Sequence, residues 1–398
     1  MTDNFNPYGN SPSENEPYGN NADIPPSREN GEGYARYNSP YGNQYPYGNQ
    51  PPYGNQPPYG YPGGPYGKKP SVLSRITAFF SDKRVAGLSL ASIAAAGAVI
   101  LFELFGSMFS VYLHTNKELL ALYRSNHMAE MAFGMLYTFL GVAVPFFIAY
   151  AFLRKVSGIT LPLGAPRKNS GAMLLIPAGL GICYVGNVAV SYMMTFFSSL
   201  GVSSYSYDAA LTQTEPLPGN ILQAVFSVMY IAVFPAVFEE FAFRGVIMQP
   251  LRRYGDWFAI IVSGVMFGLV HGNIMQMPFA IIAGVALGYS AIVTGSMWTG
   301  IIIHFLNNFL SLVFSWARTG LSGGVNIVFS AVFTYGIIII GVVALAGYAW
   351  RNPRMLKLYP SRENISVGRA AAVYFLMPAM LVALMLMLKN ILSDIIVG

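Results

Sequence analysis

The chain is poor in charge and almost devoid of cysteine, and both shortages restrict what it can be. Only 10% of its 398 residues are charged, whereas 54% are hydrophobic; soluble domains carry about 25% charged residues. Its single cysteine, Cys183, cannot form an intramolecular disulfide, so cysteine content says nothing about the redox compartment. The composition excludes an ordinary water-soluble globule of this length and predicts a membrane protein.

A polar N-terminal segment precedes the first apolar block, so no cleavable signal peptide is expected. Within residues 1–70, Pro-Tyr-Gly-Asn recurs at positions 7, 17, 40, 46 and 52, and aliphatic side chains are almost absent. Pro and Gly at this density prevent helix and sheet, which predicts a disordered cytoplasmic tail. A solvated spacer is favoured over a segment whose tyrosines bind cytoplasmic partners.

Long apolar blocks follow the tail, and a helix of about 20 residues crosses a hydrocarbon core. Nine blocks are predicted as spans: 85–113, 128–153, 171–198, 221–249, 257–272, 275–295, 297–317, 327–350 and 369–392. The fifth block is short and the sixth follows at once, so eight spans are the alternative. The sequence predicts an all-α, polytopic transmembrane helical bundle of eight or nine spans. It divides into three N-terminal membrane helices in 71–215, a central region in 216–320 and C-terminal membrane helices in 321–398.

The distribution of basic residues predicts the orientation of this bundle. Lys and Arg are frequent before the first span, between spans two and three, after span four and between spans eight and nine. The opposite loops are poor in both, so the positive-inside rule puts the N-terminus in the cytoplasm of a multi-pass cell-membrane protein. The net charge of +6 is then explained by contact of these loops with membrane lipid, and no nucleic-acid partner is expected.

Three charged residues, Glu239, Glu240 and Arg244, interrupt the fourth apolar block. Charge at membrane depth is costly, so it usually persists where it is paired or functional. Glu240 and Arg244 are four residues apart and can pair on one helix face, whereas Glu239 points about 100° away. The pattern predicts one paired carboxylate beside a free one, and a purely structural ion pair is the alternative.

Three further polar residues lie in later apolar blocks: His271 in the fifth, and His304 with Asn308 in the seventh. At 1.5 Å per residue from the basic ends of their helices, these residues and Glu239 all lie about 10–21 Å deep. His304 and Asn308 are also one turn apart and share a helix face. Scattered structural residues would not agree in depth, so these four are predicted to form one site.

These residues belong to three motifs: Glu-Glu-x-x-x-Arg from Glu239, Phe-x-x-x-His ending at His271, and His-x-x-x-Asn from His304 to Asn308. In this order on successive apolar helices, they resemble the CPBP family of CAAX proteases and bacteriocin-processing enzymes. This family, also called Abi, includes the Ras-converting CAAX endoprotease. The resemblance implies an intramembrane endopeptidase whose CPBP-like catalytic membrane domain lies within 216–320.

The resemblance also implies roles for the residues at the motif positions. Glu239 and His271 would activate the attacking water, and His304 and Asn308 would stabilise the oxyanion. The remaining motif residues, Glu240 and Arg244, would organise the site or bind the terminal carboxylate of the substrate. The substrate would be a membrane-associated or lipidated peptide or protein.

The predicted site residues are compatible with chemistry that uses a metal ion and with chemistry that does not. Glu239, His271 and His304 are a Glu/His/His set that could bind zinc and leave one position for water. The chain lacks a His-Glu-x-x-His sequence, and these ligands would come from three separate helices. We therefore place chemistry that requires no cofactor slightly ahead of a zinc enzyme.

Two other classes of function are retained as alternatives. Buried carboxylates and histidines also relay protons in proton-coupled transporters, although the two halves of this chain show no inverted repeat and no matching pair of broken helices. The second alternative is a non-catalytic immunity or scaffold membrane protein that binds a peptide without cutting it.

Overall fold

A computed structural model describes residues 81–212 and 215–397, so the predicted disordered tail at 1–70 lies outside the described residues. The described part is helical almost throughout, which confirms the all-α prediction. The α-helices, numbered α1 to α15, are Lys83–Thr115, Lys117–Ser125, His127–Tyr137, Val144–Ser157, Ala172–Ser199, Tyr205–Thr212, Ile221–Val228, Phe234–Glu240, Met248–Leu251, Asp256–Val270, Gln276–Thr294, Met297–Arg318, Gly323–Arg351, Val367–Phe375 and Pro378–Asp394. Three π-helical turns, π1 to π3, are Thr138–Ala143, Met229–Val233 and Phe241–Ile247, and a 3-10 turn is Arg252–Tyr254.

Seven of the described helices are long and apolar enough to cross a membrane, and there are eight if the bent pair α14–α15 counts as one span. The number agrees with eight spans rather than nine. The predicted fifth span forms only the fifteen-residue helix α10, about 22 Å long and short of a hydrocarbon core of roughly 30 Å. The predicted ninth span is broken by a 74° bend between α14 and α15. Pro378 at the start of α15 explains the bend, because it disfavours helical geometry at the residue before it.

The span Ile221–Tyr254 is a succession of α-helical and π-helical turns rather than one regular helix. The turn π2 is followed two residues later by Pro235, as π1 is by Pro145. Proline has no backbone N–H, so the carbonyl group four residues earlier loses its partner within the helix. Such wide turns often occur at functional sites, and this span carries the two glutamates.

One end of the bundle is closed by two connecting segments. Segment 158–171 covers the α11–α12 turn, where the Met297 N–H donates to the Pro162 carbonyl at 2.8 Å. Segment 352–366 covers the start of α10, where the Trp257 indole donates to the Leu356 carbonyl at 3.0 Å. We call this the closed end. It holds the basic residues that follow the fourth span.

Burial decreases from the closed end towards the other end of the bundle. From Glu240 to Leu251 every residue except Gln249 is buried, whereas α7 contains a single buried residue, Ser227. Helix α10 is mostly buried, but the residues of the segment 271–279 after it are all at least partly exposed. We call this second end the open end, and the predicted site residues lie where the two regions meet.

The open end contains the short antiparallel pair of strands β1 (Val202–Ser204) and β2 (Ile395–Val397). Asp394, just before β2, accepts hydrogen bonds from the backbone and hydroxyl of Ser206 at 2.9 and 2.7 Å. The same carboxylate accepts from the Ile274 N–H at 3.2 Å, in the turn after α10. Asp394 therefore ties together three segments that are distant in sequence.

Candidate active site

The predicted pairing of Glu240 with Arg244 is present in the structure. Arg244 Nη1 donates to Glu240 Oε1 at 2.7 Å, and both side chains are fully buried. The guanidinium group also donates to the Gly284 carbonyl at 3.2 Å and lies 4.6 Å from the centre of the Phe267 ring. A buried charge is costly unless it is paired, so these contacts are what allows Arg244 to lie inside the bundle.

His304 lies between the two glutamates. Its Nδ1 is 3.1 Å from Glu240 Oε1, and because an ionised carboxylate can only accept, Nδ1 is the donor. Its Nε2 is 3.9 Å from Glu239 Oε2. This separation is too long for a hydrogen bond and is one that a single water molecule can bridge.

The two adjacent carboxylates have different surroundings. Glu240 is fully buried, and its Oε1 accepts from both Arg244 and His304. The side chain of Glu239 is 22% exposed, and it accepts no hydrogen bond from the described residues. The prediction of one paired and one free carboxylate therefore agrees with the geometry.

Gly300 allows Glu240 to approach α12 closely. A Cβ atom on Gly300 would lie 2.8 Å from Glu240 Oε2, which is closer than Cβ atoms approach other heavy atoms in real proteins. Glu240 Oε2 is buried and has no hydrogen-bond partner among the described residues. The absence of a side chain at Gly300 thus makes room for the carboxylate beside His304.

His271 is positioned by the end of α10. Its Nδ1 donates to the Phe267 carbonyl at 2.7 Å, so the lone pair of the neutral ring is on Nε2. Gly272, at φ +66°, terminates the helix in the left-handed conformation, and Asn273 donates to the His271 carbonyl at 3.0 Å. The Phe267 ring contacts the rings of His271 and His304, with centres 4.9 and 5.8 Å apart.

Asn308 is held by the irregular part of the fourth span. Its Nδ2 donates to the Ile231 carbonyl in π2 at 3.1 Å. In a regular helix that carbonyl would accept from residue 235, but Pro235 has no N–H to give. The Asn308 Oδ1 accepts from Asn307 at 3.0 Å, which leaves one N–H of the Asn308 amide without a described acceptor.

The structure brings four of the predicted site residues into one cluster of contacts, namely Glu239, Glu240, Arg244 and His304. It places His271 beside them across the Phe267 ring, and Asn308 one helical turn from His304. It does not bring the zinc set of Glu239, His271 and His304 together as ligands. Among residues 81–212 and 215–397, no three His, Cys, Asp or Glu side chains form a group that could hold a metal ion.

Two residues with a role in this geometry were not predicted from the sequence. Gly300 precedes His304 by one turn and so shares its face, a spacing that was visible in the chain. Asn307 stands next to a motif residue, and no pattern in the sequence indicates that it would bond to Asn308.

Residues 221–310 match the model of the type II CAAX prenyl endopeptidase Rce1-like family. No curated protein and no solved structure matches the chain. The matched segment contains all three motifs and every contact of the cluster described above, so the resemblance drawn from the motifs is confirmed. Residues 221–310 are therefore similar to the CAAX prenyl endopeptidases, and they lie in a chain whose described part has seven or eight helices that could cross a membrane.

Proposed function

We propose that the protein is an intramembrane endopeptidase that hydrolyses a peptide bond in a membrane-associated or lipidated peptide or protein. The observation that carries this proposal is the 3.9 Å gap between Glu239 Oε2 and His304 Nε2. Peptide hydrolysis needs a base next to a water molecule and a donor where negative charge develops. A partly exposed carboxylate facing an oriented imidazole supplies both.

Glu239 is the proposed general base. Its carboxylate accepts no hydrogen bond from the described residues, so both oxygens are available to a water molecule. Its neighbour Glu240 is already committed to Arg244 and His304 and is fully buried. A proton taken from the attacking water would therefore go to Glu239 and then to the leaving amine.

His304 is the proposed oxyanion donor, oriented by its bond to Glu240. A donor role for Nε2 requires a proton on both ring nitrogens, so the ring would carry a positive charge between two carboxylates. With Arg244 the cluster then contains two positive and two negative charges. A charged donor stabilises an oxyanion more than a neutral donor does.

His271 and Asn308 are proposed to complete the site. The Nε2 lone pair of His271 can accept a hydrogen bond from the same water, because Nδ1 is occupied by the Phe267 carbonyl. The remaining N–H of Asn308 can donate to the oxyanion, because its other N–H already bonds to Ile231. These assignments keep the roles that the motif positions imply.

The proposed reaction requires no cofactor. Zinc would need Glu239, His271 and His304 as three converging ligands, and these side chains do not form such a group. His304 also directs Nδ1 to Glu240, which leaves only Nε2 for any other partner. We further propose that the protein lies in the cell membrane with its N-terminus in the cytoplasm, where the tail is free to bind partners.

The test is peptide cleavage by the detergent-solubilised full-length protein. We would offer a peptide ending in a free carboxylate, in farnesylated and unmodified forms, and locate new termini by mass spectrometry. The parent protein is expected to cut at least one form, Glu239→Ala neither, and the exposed control Glu118→Ala should match the parent. A zinc chelator should leave the rate unchanged.

Three outcomes would contradict the proposal in different ways. Equal cleavage by Glu239→Ala would remove Glu239 from the mechanism. Substrate-dependent flux in sealed vesicles without cleavage would favour the transporter, and peptide binding without either would favour the scaffold.

A further inference from the structure

One face of α12 stays polar beyond the active site. His304, Asn308, Ser311 and Ser315 follow at spacings of four, three and four. This keeps them within about 60° of one another around the helix. Polar side chains aligned along a membrane span face protein or water rather than lipid. We call these four residues the polar stripe, and it runs from the active site to the open end.

At the open end the stripe meets a histidine between two glutamates. The Glu215 N–H donates to Ser315 Oγ at 3.2 Å, which joins this cluster to the stripe. His127 Nδ1 is 3.0 Å from Glu130 Oε2, and His127 Nε2 is 3.8 Å from Glu215 Oε2. We call His127, Glu130 and Glu215 the mouth cluster.

Three buried polar atoms on this line have no hydrogen-bond partner among the described residues: Glu240 Oε2, Asn307 Oδ1 and His127 Nε2. Leaving a buried polar group unpaired costs about 1–3 kcal/mol, so such atoms normally bond to protein or to ordered water. The first lies at the inner end of the stripe, the second beside Asn308, and the third in the mouth cluster. Each of these three atoms is therefore a place where an ordered water molecule fits.

The two longest His–Glu contacts also fit the presence of water along the polar stripe. His304 and Glu239 are separated by 3.9 Å, and His127 and Glu215 by 3.8 Å. Both distances exceed a hydrogen bond and fit one bridging water. The same arrangement therefore occurs at the inner and the outer end of the polar stripe.

We propose that the polar stripe is a hydrated route, with the mouth cluster as its entrance, that delivers the hydrolytic water to Glu239. The inference rests on the proposed function, because each peptide bond cut consumes one water molecule at a site surrounded by apolar helices. The two carboxylates of the mouth cluster make the entrance negative.

The route can be tested by thiol labelling, which does not depend on catalysis. Ser311→Cys and Ser315→Cys would be treated with trimethylammonioethyl and sulfonatoethyl methanethiosulfonate, which are cationic and anionic and react with a thiolate in water. The control is Val313→Cys, which lies between them in depth but about 160° away around the helix. The parent protein is the blank, because its one cysteine, Cys183, is buried.

We expect both stripe cysteines to react about tenfold faster or more than Val313→Cys, since a thiolate forms readily only in water. The cationic reagent should react faster than the anionic one, and Glu215→Gln with Glu130→Gln should remove this preference. In the cleavage assay, Ser315→Val should be slower than the parent, whereas Ser315→Thr, which has the same shape but keeps a hydroxyl, should match it.

The outcomes separate this inference from the proposed function. If the cysteines of the polar stripe are labelled no faster than Val313→Cys, the hydrated route is wrong, whether or not the protein cuts peptides. Fast labelling in a protein that cuts no peptide would support the route and count against the endopeptidase.

Discussion

The two halves of the span Ile221–Tyr254 are both apolar but have different surroundings. In the first half, the side chains of α7 are mostly partly or fully exposed. In the second half, π3 and α9 are buried throughout except for Gln249. The change falls between two adjacent glutamates, Glu239 in the first half and Glu240 in the second.

Because their surroundings differ, the two neighbouring glutamates, Glu239 and Glu240, have different roles. Helix geometry turns neighbouring residues about 100° apart, so only one of the two faces Arg244. Glu240 is fixed by that pairing, and its cost of burial is offset by contacts with Arg244 and His304. Glu239 retains access to water at the boundary. Substitutions can test whether Glu240 is the structural carboxylate and Glu239 the one that is accessible to water.

The largest effect is expected from Glu239→Gln. Removal of a general base typically costs about 10²–10⁴-fold in turnover, while the amide keeps the shape of the side chain. The melting temperature in detergent should stay that of the parent, because Glu239 supports no buried contact except the long one to His304. Retained cleavage would show that Glu239 is not the general base. A large fall in melting temperature would show that Glu239 also has a structural role.

Next comes the buried pair, tested by Glu240→Gln and Arg244→Gln. Each leaves one buried charge without its main partner, which typically costs about 3–5 kcal/mol of stability. The double variant should lose less than the sum of the two, because neither charge then remains. Thermal unfolding of the four proteins checks this. Full stability of Glu240→Gln alone would mean that the pair does not hold the second half together.

Gly300→Ala should have a smaller effect on stability. The new Cβ would press on Glu240 Oε2 and cost about 1–3 kcal/mol by overpacking, partly offset by a gain in helix propensity of about 1 kcal/mol. We expect lower stability together with slower cleavage. The control is Gly97→Ala in α1, where a Cβ meets nothing within 4 Å, and it should be neutral or stabilising.

The smallest effect concerns Glu215, a half-buried residue in the segment before the same span. Burial raises the pKa of this carboxyl group, His127 partly opposes the shift and Glu130 adds to it. Because the pKa is raised in the folded state, its contribution to stability is full below the unfolded value of about 4.3 and is lost as pH rises through the folded value. Glu215→Gln should therefore gain in melting temperature relative to the parent between pH 4 and pH 8. If the melting temperature of Glu215→Gln instead falls relative to the parent over this pH range, the pKa of Glu215 is not raised in the folded protein.

Most of the spans and the pairing of Glu240 with Arg244 could be predicted from the sequence, because both depend on features visible along the chain. The prediction of nine full spans was wrong, because hydropathy alone does not show that the fifth block is too short and that the ninth is bent. Hydropathy locates the helices, and the shared depth of Glu239, His271, His304 and Asn308 indicates a single site. The pairing of Glu240 with Arg244 depends on helix periodicity alone. The family match over 221–310 covers all of these residues.

Other features could not be predicted, because they depend on contacts between helices. The bond from His304 to Glu240 requires a close approach of α12 to the fourth span, which Gly300 permits. The bond from Asn308 to Ile231 lies in a π-turn, where Pro235 cannot donate the N–H that a regular helix would provide to that carbonyl. Periodicity assumes regular helices, and this span is irregular where the chemistry is proposed.

The tie made by Asp394 has a consequence for the timing of biosynthesis. The ribosome makes the glutamates and both histidines of the site well before it reaches Asp394. Until that residue emerges, the turn after His271 lacks the carboxylate that accepts from the Ile274 N–H. The newly inserted helices therefore hold every group of the site before they hold its final geometry. The turn after His271 is therefore completed by a residue 120 positions further along the chain.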